Sequence, residues 1–399
     1  MVNKQNSVLI FLQLCGLVFS FEYDDAVYDT LLKYSYISKL SYCIDEIKPD
    51  HILADPIELD LNPISFLQSG YHSDDHYETA GKGKIELHVA KMIYSDVVKK
   101  KSQQEDDDEF GHSEGFFSVE HVSEEENDDG AIILTFKGKT TSEDYLSEIN
   151  LNLIDYKPLT QDAQNVFDCH DCKIHKSTFE RFKTLEEDVF HGVELLTETF
   201  PDYKLIITGH STGGSLAMIA GLELSLLGYN PLVVSYGNPK IFNRALSDYV
   251  DKLLETETVF KQVSAAGNNI EKGLLRAVHQ GDYIPLLPPG SQFVQPGLEL
   301  LIEKNELPHP KSVVTYRGKA NNLVHDVGFS VWDIFSFNLG TIFHYDQHLH
   351  YFYDFQSCGE EDNSSRKINS NAKDSKKQKL LNLQKDVVAD KDFGALPNW

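Results

Sequence analysis

The stretch YKLIITGHSTGGSLAMIAGLEL, Tyr203–Leu224, decides the fold because its character changes at one serine. It begins as a β-branched, apolar run typical of a buried strand and ends as an Ala- and Leu-rich run typical of a helix. Between the two runs, Gly209–Gly213 reads GHSTG, a Gly-x-Ser-x-Gly pattern. Such a turn between a strand and a helix holds its serine in a strained backbone conformation, with Oγ above the carboxyl edge of the sheet. The pattern predicts that Ser211 is a nucleophile.

The setting of this turn matters more than the five letters themselves, which recur by chance in unrelated chains. The strand-like KLIIT before it and the helical SLAMIAGLEL after it supply the context that the motif requires. The helix N-terminus below the serine favours the negative charge that develops during acyl transfer. A structural serine in a glycine-rich connector is the alternative interpretation.

Strand-like and helical runs alternate on both sides of the turn, and this alternation predicts the fold class. Strands are expected at 131–136, 204–208, 231–236 and 274–278, and helices at 179–200, 215–227 and 244–254. Upstream, 26–43 has a helical repeat and 83–95 alternates like a strand. Alternation of this kind is typical of an α/β protein with a mostly parallel central sheet and helices on both faces.

Composition limits the partners of the chain. Its 399 residues, 41% of them hydrophobic, suffice for one large domain, which we place at 21–358. The net charge of -26 argues against nucleic acid and against anionic membranes, because both bind basic surfaces.

The two ends of the chain, and one stretch inside this domain, differ from the rest of the sequence in composition. Residues 1–20 are predicted to be a secretory signal peptide, since Lys4 precedes the apolar run Val8–Phe19. A membrane-spanning helix is the alternative, but such a helix needs about 20 apolar residues. Residues 101–129 are strongly acidic and are predicted to be a solvated insertion between strands. The charged tail 359–399, with the glycosylation sequon at Asn363, is predicted to be disordered.

The cysteines agree with export. Removal of the signal peptide leaves Cys43, Cys169, Cys172 and Cys358. An even number in an oxidising compartment predicts two disulfides, and three pairings satisfy this count. Zinc binding at Cys169–Cys172, which reads CHDC, is an alternative, although the second Cys-x-x-Cys of a typical zinc site is missing.

A nucleophilic serine needs a base, and the base needs an orienting carboxylate. In hydrolases with this turn the chain order is serine, acid, histidine. Asp282 directly follows a predicted strand in LLRAVHQGDYIPLLPP and is the predicted acid. Asp248 and Asp251 lie on a predicted helix, where solvent exposure is the simpler expectation.

The predicted base lies in IFHYDQHLHYFYDF. This segment contains His344, His348 and His350. Spacing alone does not choose among them.

From about Ala131 to Cys358 the chain resembles the fungal class 3 lipases, secreted α/β-hydrolases that include triacylglycerol lipases and feruloyl esterases. The motifs that resemble the family's GHSLG, DIVPHLPP, HLSYF, KVHKGF and QPRVGN patterns are TGHSTGGSLA, DYIPLLPP, HLHYF, KIHKSTF and NPKIFN. The resemblance implies an α/β-hydrolase fold. It also supports Asp282 as the acid and selects His348 as the base.

The resemblance also points to the oxyanion hole. TFKGKTTSEDY is similar to the family's FRGSSSIRNW, so the backbone N–H groups of Lys139 and Thr212 are expected to hold the oxyanion. Where the family has Ser or Thr with a hydroxyl donor, this chain has Lys139. The missing hydroxyl is supplied by Thr140 or Thr141, replaced in part by the Lys139 ammonium, or lost.

Two further features are implied by the same family. A short helix over Ser142–Glu148 corresponds to its lid, with Tyr145, Leu146 and Ile149 as the apolar underside. A rigid amphipathic surface helix explains that pattern equally well. The family also joins its first helix to its C-terminus by a disulfide. Cys43 would then pair with Cys358, and Cys169 with Cys172.

These observations predict a secreted serine esterase, most simply a triacylglycerol lipase that meets its substrate at an oil–water interface. Extracellular release, a vacuole and the cell wall are all compatible with export. No metal or cofactor is needed for this chemistry. A feruloyl or other aryl esterase is the alternative within the fold, and a catalytically silent binding protein is the alternative outside catalysis.

Overall fold

The computed structural model describes residues 21–43, 57–60, 84–94, 113–121, 130–139, 151–265, 270–288, 291–320 and 345–355. The predicted signal peptide, the lid residues Tyr145, Leu146 and Ile149, and the tail lie outside these ranges. So do Cys358 and Asn363. The predictions made for them remain predictions.

A nine-stranded sheet forms the centre of the described structure. Its strands are β1 (Ile57–Asp60), β2 (Lys84–Ile93), β3 (Gly115–His121), β4 (Ala131–Phe136), β7 (Lys204–His210), β8 (Leu232–Tyr236), β9 (Gly273–His279), β10 (Leu298–Ile302) and β11 (Val314–Lys319). They lie side by side in the order β1-β2-β3-β4-β7-β8-β9-β10-β11. The strands from β4 to β10 pair in parallel, and antiparallel pairs complete both edges.

Two small pairings lie beside this sheet. Strand β5 (Leu153–Asp155) pairs with β6 (Lys173–His175), and β12 (His350–Tyr351) pairs with β13 (Tyr353–Asp354). The described helices are α1 (Asp25–Leu40), α2 (Gln161–Val166), α3 (Lys176–Lys183), α4 (Glu186–Thr199), α5 (Thr212–Leu226), α6 (Arg244–Leu253), α7 (Thr256–Val263) and α8 (Tyr345–Leu349).

Alternation along the strands places a hydrophobic core on each face of the sheet. In β4, Ile132, Leu134 and Phe136 pack with helices α2 to α6. Their neighbours Ala131 and Ile133 pack on the opposite face with α1 and α7. Successive strand side chains point to opposite faces, so a continuous apolar run is needed where both faces are covered. The predicted α/β-hydrolase fold, with its parallel strands at the centre and helices on both faces, is confirmed.

One of the predicted helices is observed as two shorter helices. The expected helix over 179–200 is interrupted, because α3 ends at Lys183 and α4 begins at Glu186. The Thr184 hydroxyl donates to the Arg181 carbonyl at 2.8 Å and closes the first helix. Acidic side chains in the first turn of α4 then favour a new helix start, since they complement its positive end.

The prediction of a solvated insertion at 101–129 is wrong for Gly115–His121. These residues form β3, which lies between β2 and β4. Phe116 and Phe117 are buried in the cores on the two faces. The acidic character of the surroundings hid this strand, but its Glu120 is paired with Lys33 of α1. Residues 101–112 and 122–129 lie outside the described ranges.

A buried carboxylate ties α5 to the chain that follows β5. Glu223 has no exposed surface. It accepts hydrogen bonds from the Tyr156 hydroxyl at 2.8 Å and from the Leu159 N–H at 3.1 Å. Burial raises the pKa of Glu223 from 4.5 to about 7, although both hydrogen bonds oppose the shift.

This carboxylate predicts a pH-dependent stability. The folded protein keeps a proton on Glu223 that the unfolded chain releases between pH 4.5 and about 7. The contribution of Glu223 to the free energy of unfolding therefore falls as the pH rises through this window, by on the order of 3 kcal/mol. Glu223→Gln cannot titrate, so in urea unfolding the stability of the wild type should fall relative to that of the variant between pH 5 and pH 8. Equal pH dependence in both proteins would contradict this assignment.

Candidate active site

Ser211 sits at the turn between β7 and α5. Its backbone angles are φ 58° and ψ -132°, a region that side chains rarely occupy and that costs about 1–3 kcal/mol. Close packing around the turn requires glycine on both sides of the serine. A Cβ on Gly209 would lie 2.4 Å from the Gly213 carbonyl oxygen, and one on Gly213 would lie 2.3 Å from the Phe136 carbonyl oxygen.

The structure brings Ser211, Asp282 and His348 together from three distant parts of the chain. His348 Nε2 lies 2.9 Å from Ser211 Oγ, and its Nδ1 lies 2.8 Å from Asp282 Oδ2. A carboxylate only accepts, so Nδ1 donates to Asp282 and Nε2 is left to accept the serine proton. All three side chains are fully buried. His350 lies in β12, and His344 lies outside the described residues.

The topology explains this meeting. Ser211 follows β7 and Asp282 follows β9, and both strands end at the same edge because they run parallel to β8. His348 arrives from the far end of the described chain on α8. Asp251, the rejected candidate on α6, instead accepts from the Gly297 N–H at 2.7 Å and holds two segments of the fold together.

The Asp282 carboxylate is fixed by more than His348. Its Oδ1 accepts from the Ile284 N–H at 2.9 Å, and its Oδ2 accepts from the Tyr351 hydroxyl at 2.6 Å. That hydroxyl in turn accepts from the His279 N–H at 3.1 Å. Burial raises the pKa of Tyr351, so the phenol keeps its proton. Sequence reasoning missed this residue, whose only signal was its place in HLHYF, three residues after the predicted base.

His210 is a second residue that sequence reasoning missed, although it lies inside the serine motif. Its Nε2 donates to the His348 carbonyl oxygen at 2.6 Å, because a carbonyl only accepts. Its Nδ1 then accepts from the Tyr42 hydroxyl at 2.8 Å. Burial and the neighbouring His348 hold the pKa of His210 well below its usual range, so the ring is neutral. His210 thereby fixes the backbone that carries His348.

The loop after β4 passes beside the serine, as an oxyanion hole requires. A Cβ on Gly138 would lie 3.0 Å from Ser211 Cβ. The next N–H, on Lys139, donates to Thr212 Oγ1 at 3.0 Å. The two residues predicted to hold the oxyanion are therefore in direct contact, and the amide of Lys139 is occupied by a hydroxyl. Thr140 and Thr141 lie outside the described residues.

Two further findings concern the predicted disulfides and the possibility of a membrane-spanning helix. Cys169 and Cys172 are joined by a disulfide. Cys43 is also disulfide-bonded. Within the ranges that the structure describes, none of the helices is long and apolar enough to span a bilayer.

The chain matches the family model for lipase (class 3) over residues 133–292. It is 36% identical over 254 residues to the lipase candidate LIH1 of Saccharomyces cerevisiae, an alignment that covers 61% of this chain and 74% of that protein. It is 32% identical over 143 residues to lipase A of Sodiomyces alcalophilus, which covers 35% of this chain and 33% of that protein.

Solved lipase structures share the fold. The Lip2 lipase of Yarrowia lipolytica superposes with a TM-score of 0.61 at 21% identity and covers 86% of this chain and 99% of its own. The lipase of Rhizopus microsporus var. chinensis gives a TM-score of 0.54 at 18% identity, with 85% and 92% covered. At these identities the likeness concerns the fold alone.

Sequence relatives, family model and fold agree with one another. The yeast relative is matched over most of its length, and the family model spans both Ser211 and Asp282. The resemblance to fungal class 3 lipases is thus confirmed: the chain belongs to the class 3 lipase family and is a carboxylic ester hydrolase of the α/β-hydrolase fold.

Proposed function

We propose that the protein is a secreted triacylglycerol lipase that works through a Ser-His-Asp triad and an acyl-enzyme intermediate. One observation carries this proposal. An unbroken series of hydrogen bonds runs from Ser211 Oγ through His348 to the Asp282 carboxylate, which is the arrangement that activates a serine.

In the first half of the reaction, Ser211 Oγ attacks the ester carbonyl carbon while His348 Nε2 takes its proton. Asp282 stabilises the imidazolium through Nδ1, and the phenol of Tyr351 keeps this carboxylate in place. When the tetrahedral intermediate collapses, the imidazolium returns the proton to the leaving alcohol. The acyl group remains on Ser211.

In the second half, water replaces the alcohol. His348 takes a proton from the water, whose oxygen attacks the acyl carbon, and then returns the proton to Ser211 Oγ as the acid leaves. His210 maintains the ring position through both halves, because its bond to the His348 carbonyl does not depend on the charge of the ring. The backbone N–H of Thr212 is assigned to the oxyanion, whereas the N–H of Lys139, predicted for the same role, donates to Thr212 Oγ1.

The substrate class, the lid movement and the export of the protein are proposed on grounds other than the triad geometry. A neutral acylglycerol suits both the family and the net charge of -26, since an acidic protein is repelled by anionic lipid surfaces. Ser211 has no exposed surface, so an ester reaches it only when covering atoms move. We assign that movement to the lid around Tyr145, Leu146 and Ile149. We assign export to residues 1–20.

The first test is hydrolysis of p-nitrophenyl butyrate. Ser211→Ala should abolish turnover, and Asp282→Asn should lower kcat by about 10⁴-fold because the histidine loses its correct tautomer. Ser225→Ala is the matched control: this serine lies in the same helix α5, and its buried hydroxyl has no hydrogen-bond partner among the residues that the structure describes. Its turnover should stay at the wild-type level.

A catalytically silent protein would give the opposite result in this assay. Equal background rates for the wild type and Ser211→Ala would favour a silent binding protein with a hydrolase fold.

A second test addresses the lid and the ester class. Tributyrin hydrolysis is measured on both sides of its solubility limit. A lid with an apolar underside opens at an oil surface, so the rate should rise sharply once droplets form. A rate that follows dissolved substrate alone, together with faster cleavage of methyl ferulate, would point to an aryl esterase.

A further inference from the structure

Thr212 makes side-chain contacts that the mechanism above leaves unused. Its Oγ1 accepts from the Lys139 N–H at 3.0 Å and from Arg181 Nη1 at 3.0 Å. The residue is 1% exposed. It directly follows Ser211, and its Oγ1 is bonded to the Lys139 N–H that was predicted to hold the oxyanion.

The hydroxyl proton of Thr212 remains available. A hydroxyl has two lone pairs and one hydrogen. Two N–H donors already occupy the lone-pair side of Oγ1, so the hydrogen must point away from both. Across the described residues, no acceptor for this hydrogen is found. A buried donor without an acceptor is costly unless something binds it in the working protein.

Arg181 is held firmly behind this hydroxyl. Its Nε donates to the Glu114 carboxylate at 3.0 Å, Nη2 donates to the same carboxylate, and Nη2 also approaches the Lys137 carbonyl oxygen at 3.3 Å. The guanidinium thus joins α3, the loop after β4 and the start of α5. A charged donor bonded to Oγ1 polarises the O–H bond and makes its hydrogen a better donor.

We propose that the Thr212 hydroxyl is a side-chain donor of the oxyanion hole, polarised by Arg181 and by the Lys139 N–H behind it. Thr212 would then contribute two donors, its N–H and its O–H. This arrangement supplies the hydroxyl that the family carries one position after its loop glycine and that Lys139 lacks. The inference rests on the proposed function, because it needs an oxyanion to stabilise.

The same contacts allow one opposite interpretation. Thr212 Oγ1 could occupy the Lys139 N–H in place of the oxyanion and so slow the reaction. The two interpretations predict opposite changes in kcat when the hydroxyl is replaced by a methyl group of similar shape: a fall if the hydroxyl is a donor to the oxyanion, and a rise if it blocks the Lys139 N–H.

The experiment compares Thr212→Val, which keeps the shape, with Thr212→Ser, which keeps the hydroxyl. On p-nitrophenyl butyrate, Thr212→Val should lower kcat by about 10²-fold with little change in KM, because the lost donor acts in the transition state. Thr212→Ser, which keeps the hydroxyl, should lose much less activity than Thr212→Val. The affinity of butylboronic acid, which forms a tetrahedral anion on a nucleophilic serine, should fall in the valine variant by a similar factor.

Arg181 is tested as a positioning residue through Thr212. Arg181→Met should lower kcat by about tenfold in the wild type and by nothing further in Thr212→Val, since its effect passes through that hydroxyl. Urea unfolding midpoints for each variant show that the proteins compared are folded. If Thr212→Val does not fold, Thr212→Ala, which also lacks the hydroxyl, replaces it in both comparisons.

Two results would overturn the inference. One is a valine variant as fast as the wild type or faster. The other is an equal loss from Arg181→Met in both backgrounds. Either result, obtained with an active wild type and an inactive Ser211→Ala, leaves the triad standing. Inactivity of the wild type would instead remove the proposed function.

Discussion

The site depends on one strained backbone conformation, the positive φ of Ser211 between β7 and α5. A serine there costs free energy that the surrounding packing must offset. The offset comes from a central parallel strand on one side and, on the other, a helix in which every residue except Ser225 is buried. Gly209 and Gly213 follow from the same constraint, because any side chain at either position would strike backbone atoms. With the turn fixed, Ser211 lies close against the loop after β4, where a Cβ on Gly138 would lie 3.0 Å from Ser211 Cβ.

Around this turn, the buried polar groups form a connected network. His348 is held at its ring by Asp282 and at its carbonyl by His210, and Asp282 is held in turn by Tyr351. In a low-dielectric interior each of these groups would be costly without its partner. The network therefore does two things at once. It stabilises buried polarity, and it keeps the imidazole within reach of the serine.

Much of this was predictable from local pattern and chain order. Ala131–Phe136 emerges as predicted, since a strand covered on both faces must be apolar throughout. Tyr351 and His210 escaped because their contacts join residues far apart in the chain, and no local pattern reports such contacts. Strand β3 was not predicted, because the many acidic residues around it indicated a solvated segment more strongly than its few apolar residues indicated a strand. The link from Arg181 to Thr212 lay equally out of reach, since it depends on where α3 packs.

The central claim is that this network makes Ser211 uniquely nucleophilic. Reaction with diethyl p-nitrophenyl phosphate, followed by peptide mass analysis, tests it most directly, because this reagent phosphorylates an activated serine and stops there. The account predicts one diethylphosphoryl group per folded chain, on the peptide that contains Ser211, and none after His348→Ala. Labelling at another residue, or hydrolysis that continues after Ser211 is fully labelled, would contradict it.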